Sequence, residues 1–214
     1  MIGNSRSIES SQQGIHKDLT KIVTRHLSSE FKKPVAEHTL LAYQKILSFI
    51  DKQGKPLIFD SCCGVGESSR QLAENNPDKC VVGVDKSEFR LNKQGREDQP
   101  NLLLIRADLN DLYRLMVKDK LVVAEHKIFY PNPWPKSQHI KRRWHGSPVF
   151  PQIAALSASL ELRSNWLLYL QEFQIALQHL QINSQLNEIE VRIPITPFEE
   201  KYVISGQKIY QLRT

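Results

Sequence analysis

Apolar and polar positions alternate along the chain in three regimes. The first 33 residues are polar, with Lys17, Lys21 and Arg25 spaced i, i+4 and i+8. If that segment is helical, the three cations share one face. From Pro34 a helical period takes over, and Val35, Leu40, Leu41, Ile46, Leu47 and Ile50 form a broad apolar face that Gly54 ends. After residue 56 short apolar runs alternate with helical stretches. Leu57 to Ser61, Cys80 to Asp85 and Leu102 to Arg106 read as strands, and a fourth lies within Leu121 to Tyr130. Between them Glu67 to Asn75, Lys86 to Gln94 and Leu109 to Val117 read as helices. Beyond the prolines of residues 131–135 a helix is expected to start at Ser147-Pro148, a cap followed by a proline. Leu160 to Arg163 reads as a strand, Trp166 to Leu180 as a helix, and Asn187 to Ile193 with Gln207 to Leu212 as a closing antiparallel pair. The pattern predicts an α/β fold, a doubly wound and mostly parallel seven-stranded sheet. It divides the chain into a basic N-terminal arm, 1–33, and one domain, 34–214.

At 214 residues, 40% hydrophobic, the chain can bury one substantial core but not two. No apolar run approaches the roughly 20 residues that span a bilayer. The first residues lack the apolar segment of a secretory signal, so a cytoplasmic protein is expected, with no membrane partner. Cys62, Cys63 and Cys80 have neither disulfide-framework nor zinc spacing, and no metal is expected. A monomer is favoured.

The formal charge is +6, and it is unevenly placed. Between Glu125 and Glu161 the chain has Lys127, Lys136, Lys141, Arg142 and Arg143 and no acid. That stretch alone carries nearly all of the excess, which suggests a local anion-binding segment rather than a basic surface. Charge alone does not separate this from a solvated basic loop, and the same holds for the N-terminal cations.

The first predicted strand runs into Asp60-Ser-Cys-Cys-Gly64-Val-Gly66-Glu. Glycines at a strand-to-helix turn let backbone approach a ligand, and the helix start offers unpaired N–H groups. Asp85 ends the second strand, where a carboxylate can accept both ribose hydroxyls of a nucleoside. Asp108, with Ala107 beside it, follows the third strand and is placed to meet the base. A dinucleotide is the rival ligand, since Asp85 lies about 20 residues past the glycines. Ser69 stands at the third glycine position, however, and the negative Asp60 suits a cationic amino-acid head better than a pyrophosphate. S-adenosylmethionine has that head.

The fourth strand empties into Tyr130-Pro-Asn132-Pro-Trp134-Pro-Lys136, then His139, Lys141, Arg142 and Arg143. Three prolines in five residues stiffen this turn. The basic cluster can grip phosphates, and Trp134 either stacks on a base or plugs the core.

These residues resemble the Pro-Asp-Pro-Trp-x-Lys-x-x-His-x-Lys-Arg-Arg signature of bacterial tRNA guanine-N7 methyltransferases. The resemblance extends upstream through Asp60-x-Cys-x-Gly64-x-Gly66 and Asp85, and downstream to Thr196-Pro-Phe198-Glu199, similar to the family's Thr-x-Phe-Glu. It implies a class I, Rossmann-like, S-adenosylmethionine-dependent methyltransferase acting on tRNA. By the same resemblance Asp60, Cys62, Gly64, Gly66, Asp85, Ala107 and Asp108 hold the cofactor. Trp134, Lys136, His139, Lys141, Arg142, Arg143, Gln171, Thr196, Phe198 and Glu199 meet the RNA, with Asn132 and Glu199 holding the reacting ring nitrogen.

The chain departs from the signature at three points. Asn132 replaces the acid after the first proline, Cys62 replaces the first loop glycine, and the family's Thr-Asp is matched here to Leu170-Gln171. N7 of guanine carries a lone pair, so its methylation needs positioning and charge stabilisation rather than a strong base. A carboxylate accepts from guanine N1–H and the 2-amino group. A carboxamide offers one acceptor and one donor, a pattern closer to adenine's edge. Two alternatives therefore stand beside tRNA guanine-N7 methylation: an RNA-binding protein that has kept the fold without the catalysis, and a methyltransferase for an exocyclic amine or a non-RNA substrate.

Overall fold

A computed structural model describes residues 5–93 and 99–214. The order along the chain is α1 (Leu19–Leu27), α2 (Glu37–Gln53), β1 (Leu57–Ser61), α3 (Glu67–Asn75), β2 (Cys80–Asp85), α4 (Glu88–Leu91), β3 (Leu102–Arg106), α5 (Leu109–Lys118) and β4 (Glu125–Phe129). Two 3-10 turns, Ser137–Arg142 and Trp144–Gly146, lead to α6 (Phe150–Ala155), β5 (Leu160–Ser164), α7 (Leu167–Gln178), β6 (Gln185–Ile189), α8 (Pro197–Ile204) and β7 (Ile209–Arg213). The seven strands follow the order β3-β2-β1-β4-β5-β7-β6.

The chain divides into two compact units. One gathers the residues up to Lys32 with Tyr130–Ala154 and Leu160–Thr214, and the other holds Lys33–Phe129 and Ala155–Ser159. The described residues up to Lys32 therefore group with those that follow β4.

In the second unit β1 pairs in parallel with β2 and with β4, and β2 with β3. Every residue of β1 and β2 is buried, which is why Leu57 to Phe59 and Cys80 to Val84 read as apolar runs in the sequence. Ile58 and Val81 pack with Ala73 of α3, and Leu72 and Leu102 close over them. α2 ends at Gly54, whose φ of +58° and N–H bond to the Ile50 carbonyl make a left-handed C-cap.

In the first unit β7 is antiparallel to both β5 and β6. α1 buries Leu19, Ile22 and Val23 and leaves Lys21 and Arg25 exposed, as Lys17 is just before it. Phe150 and Phe173 meet edge to face at 5.4 Å beneath α7.

Several boundaries differ from the sequence pattern. β6 ends at Ile189 rather than running to 193, and it is an edge strand whose Gln185, Asn187 and Glu188 dilute the apolar signal. α6 begins at Phe150, three residues after the proposed Ser147 cap. α8 was not expected from periodicity. Its signal is local: the Thr196 hydroxyl accepts from the Glu199 N–H at 3.0 Å, and Pro197 opens the first turn. α4 covers only Glu88–Leu91 of the helix expected over Lys86 to Gln94, with Asn92 as its C-cap, and Gln94 lies outside the described residues.

Candidate active site

The predicted cofactor residues all fall in the unit built on β1 to β4. Asp60 sits fully buried near the end of β1. Its Oδ2 accepts from the Ser68 and Ser69 hydroxyls, each at 2.6 Å, while Oδ1 has no hydrogen-bond partner among the described residues. Burial pushes the Asp60 carboxyl up to about 6, against the pull of the two serines and the Lys127 charge. A buried carboxylate oxygen without a donor is expensive, so the atom marks a place for a cationic or N–H-bearing partner.

Three residues after β1 have positive φ: Cys62 at +62°, Gly64 at +62° and Gly66 at +79°. Glycine suits Gly66 by conformation, and a Cβ there, 2.5 Å from Leu104 Cδ1, would also have to push the end of that side chain aside. Cys62 adopts the left-handed turn despite its side chain, at a cost of roughly 1–2 kcal/mol. The turn is thus left-handed at Cys62 without a glycine.

Asp85 is 4% exposed and already engaged. It accepts from the Gly64 N–H at 3.1 Å, the Ser87 N–H at 2.8 Å and Arg90 Nη1 at 3.3 Å. The reading in which it holds both ribose hydroxyls has to be narrowed, because three of its roughly four acceptor sites are filled. Asp108 caps α5, its Oδ1 accepting from the Asn110 N–H and side-chain amide at 2.9 Å each. Partial burial alone would raise its carboxyl, but Asn110 and Lys33 hold it below the ordinary value. Ala107 is fully buried and donates its N–H to the Asp85 carbonyl at 3.3 Å.

The predicted RNA residues fall in the other unit. Tyr130 and Trp134, at φ +51° and +46°, bracket the proline turn, and exposed Asn132 accepts from the Trp134 N–H at 3.3 Å. The Arg142 guanidinium lies 4.6 Å over the Trp134 ring, and the His139 ring meets the same indole edge-on at 5.6 Å. Trp134 is half-buried, so it does not plug the core. Lys136, Lys141 and Arg142 are exposed. Desolvation and the charges of Arg142 and Lys136 hold the His139 imidazole below its usual value, keeping it neutral near pH 7.

Arg143 is a correction. Its side chain is 0% exposed and cannot meet a phosphate. It donates to Glu172 Oε2 at 2.6 Å, and twice to the Trp134 carbonyl, at 3.2 and 3.1 Å, with its guanidinium 4.8 Å over the Trp166 ring. Glu199 is also fully buried, its Oε1 accepting from Tyr130 Oη at 2.7 Å and Arg163 Nη1 at 3.0 Å, its Oε2 from the Ile195 N–H at 2.7 Å. It supports Tyr130 instead of facing a substrate. Burial and the Glu199 charge in turn raise the Tyr130 phenol well above its usual value. Thr196 is spent on capping α8, whereas Phe198 is 53% exposed beside Tyr202.

Leu170-Gln171, matched above to the family's Thr-Asp, is a helical pair. Both residues lie inside α7, Leu170 buried and Gln171 exposed. The residues between β5 and α7 are Ser164-Asn165-Trp166, and Asn165 donates to Gln207 Oε1 at 2.8 Å.

Sequence reasoning missed Ser68, Ser69 and Gly83. A Cβ on Gly83 would fall 2.2 Å from Ser69 Oγ, so this mid-strand glycine makes room for a serine that holds Asp60. It also missed Tyr130, Arg163 and Glu172, which have no local signal. Among the described residues no group of His, Cys, Asp and Glu could hold a metal ion, and no helix is long and apolar enough to cross a membrane.

Residues 54–212 match a protein family described as "Putative methyltransferase". Curated relatives include tRNA (guanine-N(7)-)-methyltransferases of Treponema pallidum (strain Nichols), 26% identical over 73% of this chain and 66% of the relative, and of Thiobacillus denitrificans, 24% identical over 81% and 82%. That of Buchnera aphidicola is 28% identical over 77% and 74%. The chain spans about two thirds of the length of the first of these. Among solved structures, the 16S rRNA methyltransferase KamB superposes with a TM-score of 0.56 at 14% identity, covering 85% of this chain and 94% of that one. A 16S rRNA (adenine(1408)-N(1))-methyltransferase from Catenulisporales acidiphilia, solved with its cosubstrate, gives 0.53 at 14% identity over 78% and 88%. These likenesses are of fold, that of the class I methyltransferases. With the family match running unbroken from before β1 into β7, the chain belongs to this methyltransferase family, as a divergent relative of the bacterial tRNA (guanine-N(7)-)-methyltransferases.

Proposed function

We propose that the protein is an S-adenosylmethionine-dependent RNA methyltransferase acting on N7 of a guanine in tRNA. The observation that carries the reading is the buried, donor-less Oδ1 of Asp60 at a glycine loop, in a chain whose curated relatives carry that activity in their names. Asp60 receives the ammonium of the cofactor's amino-acid part, and the left-handed turns at Gly64 and Gly66 bring backbone against it. Asp85 takes one ribose hydroxyl on the acceptor site that Gly64, Ser87 and Arg90 leave open. Ala107 and Asp108 border the adenine. When bound, the cofactor supplies a methyl group on a sulfonium, a strong electrophile.

The remaining residues act on the RNA. Arg142 over Trp134 presents a cation and an aromatic face together, suited to a phosphate and a stacked base. Lys136, His139 and Lys141 extend that surface, and Phe198 adds a second exposed ring. Asn132 meets the edge of the base. Guanine N7 needs no proton removed, so the task of these side chains is orientation. The protein incubated with radiolabelled cofactor and total tRNA, then digested to nucleosides, is expected to yield labelled 7-methylguanosine. Absence of label in any RNA overturns the reading.

One observation favours a second reading, transfer to adenine or an exocyclic amine. Carboxamides stand at Asn132 and Asn165, and the acid Glu199 is buried and paired with Arg163. The same digestion separates the two by the labelled nucleoside.

The exposed cations give a further expectation. Lys141→Ala with Arg142→Ala should weaken tRNA binding and flatten its dependence on salt by about one unit of log–log slope for each phosphate that is no longer neutralised. Cofactor affinity should be unchanged. An unaltered slope would make these residues solvated bystanders.

A further inference from the structure

The N-terminal segment and the proline turn are joined by a continuous set of buried and part-buried hydrogen bonds whose centre is Glu172. This acid is 0% exposed, on the inner face of α7, and all its acceptor capacity is in use. Oε1 accepts from Gln12 Nε2 at 2.5 Å and from the His16 N–H at 2.8 Å. Oε2 accepts from Arg143 Nη1 at 2.6 Å, with His145 Nε2 at 3.0 Å. One oxygen therefore serves the N-terminal segment and the other the basic loop. Arg143 passes the constraint on, because its Nε and Nη2 both donate to the Trp134 carbonyl. The next carbonyl, of Pro135, accepts from Ser10 Oγ at 2.6 Å.

Two successive carbonyls of the turn are thus fixed, one by the N-terminal segment directly and one through Glu172 and Arg143. The turn needs this. Tyr130 and Trp134 are both in the left-handed region, which costs a residue with a side chain roughly 1–2 kcal/mol and persists where the surroundings over-determine it. α1 anchors the other end of the strap by burying Leu19, Ile22 and Val23.

We infer that Glu172 is a positioning residue, through which the N-terminal segment up to α1 acts as a strap that holds the Pro131–Pro135 turn in its RNA-binding shape. The strap is a matter of structure. Its consequence for tRNA rests on the function proposed above.

Two full-length variants test it. Glu172→Gln keeps an acceptor but removes the charge that Arg143 requires. Ser10→Ala with Gln12→Ala removes the strap's two side-chain bonds at part-buried positions and leaves the His16 N–H bond and the core in place, so it remains informative if the first variant fails to fold. Amide hydrogen exchange is expected to rise about tenfold or more across residues 132–140 in both variants, with β1 to β4 unchanged. In the transfer assay the KM for tRNA should rise about fivefold or more, with kcat and the KM for S-adenosylmethionine within about twofold, since uniform binding alone is lost. A residue that serves stability alone would move all three together with the melting temperature. Unchanged exchange at 132–140 in the Ser10→Ala, Gln12→Ala protein overturns the strap, as does a rise shared equally by β1 to β4. Faster exchange at 132–140 in a protein that methylates no RNA would support the strap and overturn the proposed function.

Discussion

Asp60→Asn is expected to weaken S-adenosylmethionine binding by about 10- to 100-fold at pH 7.5, the worth of one charge-assisted hydrogen bond in a buried site. The fold should survive, because the Ser68 and Ser69 hydroxyls can turn to accept from a carboxamide as readily as they donate to a carboxylate. The effect has a pH signature. In the free protein burial pushes the Asp60 carboxyl up to about 6, and the ammonium binds the ionised form. Wild-type affinity should be level above about pH 7 and fall toward tenfold per unit below 6, while the Asn variant stays level throughout. The stability of the free protein runs the other way. A carboxyl whose folded pKa is raised takes up its proton more readily folded than unfolded, so between about pH 6 and 4 the wild type gains on the variant. Calorimetric titration from pH 5 to 8 reads the first effect and thermal melts the second. Equal affinity of the two proteins at pH 7.5 would remove Asp60 from the cofactor site.

The two groups of site residues differ in how much of them the sequence shows. The cofactor group is local: Asp60, Gly64, Gly66, Ser68 and Ser69 lie within ten residues, and Asp85 and Asp108 follow predicted strand ends. β1 and β2 are buried on every position, so the apolar runs that open them give their place directly. What local reasoning misses there is competition, since nothing in the sequence says that Arg90 and Gly64 already occupy Asp85. The RNA group depends on distant partners. Glu172 meets Arg143 across 29 residues, and Glu199 meets Tyr130 across 69. A run of three cations, Lys141-Arg142-Arg143, looks uniform as charge, yet the third is sealed inside the fold while its neighbours face water.

Arg142 and Arg143 are adjacent and should behave in opposite ways. Arg142→Ala removes an exposed cation over an indole, and stability should change by no more than about 0.5 kcal/mol. Arg143→Ala should cost about 3–5 kcal/mol, because it leaves the fully buried Glu172 carboxylate without its closest charged partner and two donors fewer on the Trp134 carbonyl. Acid should expose the same network. Desolvation alone would raise Glu172, but His145, the His16 N–H and Arg143 hold it down at about 2. Its contribution is present above the unfolded value near 4.5 and disappears as pH falls toward 2. Burial holds the His145 imidazole below its usual value, so it stays neutral in the fold while the unfolded chain takes up a proton below about 6.5. Both groups therefore remove stability on acidification, His145 first. Replacing both partners should be milder than replacing one: Arg143→Met with Glu172→Gln leaves no uncompensated charge, and its cost should fall well short of the sum of the single changes. Denaturant unfolding of the four proteins at pH 7 measures that shortfall, and additive costs would mean that the guanidinium and the carboxylate stabilise the fold independently, whatever their 2.6 Å separation.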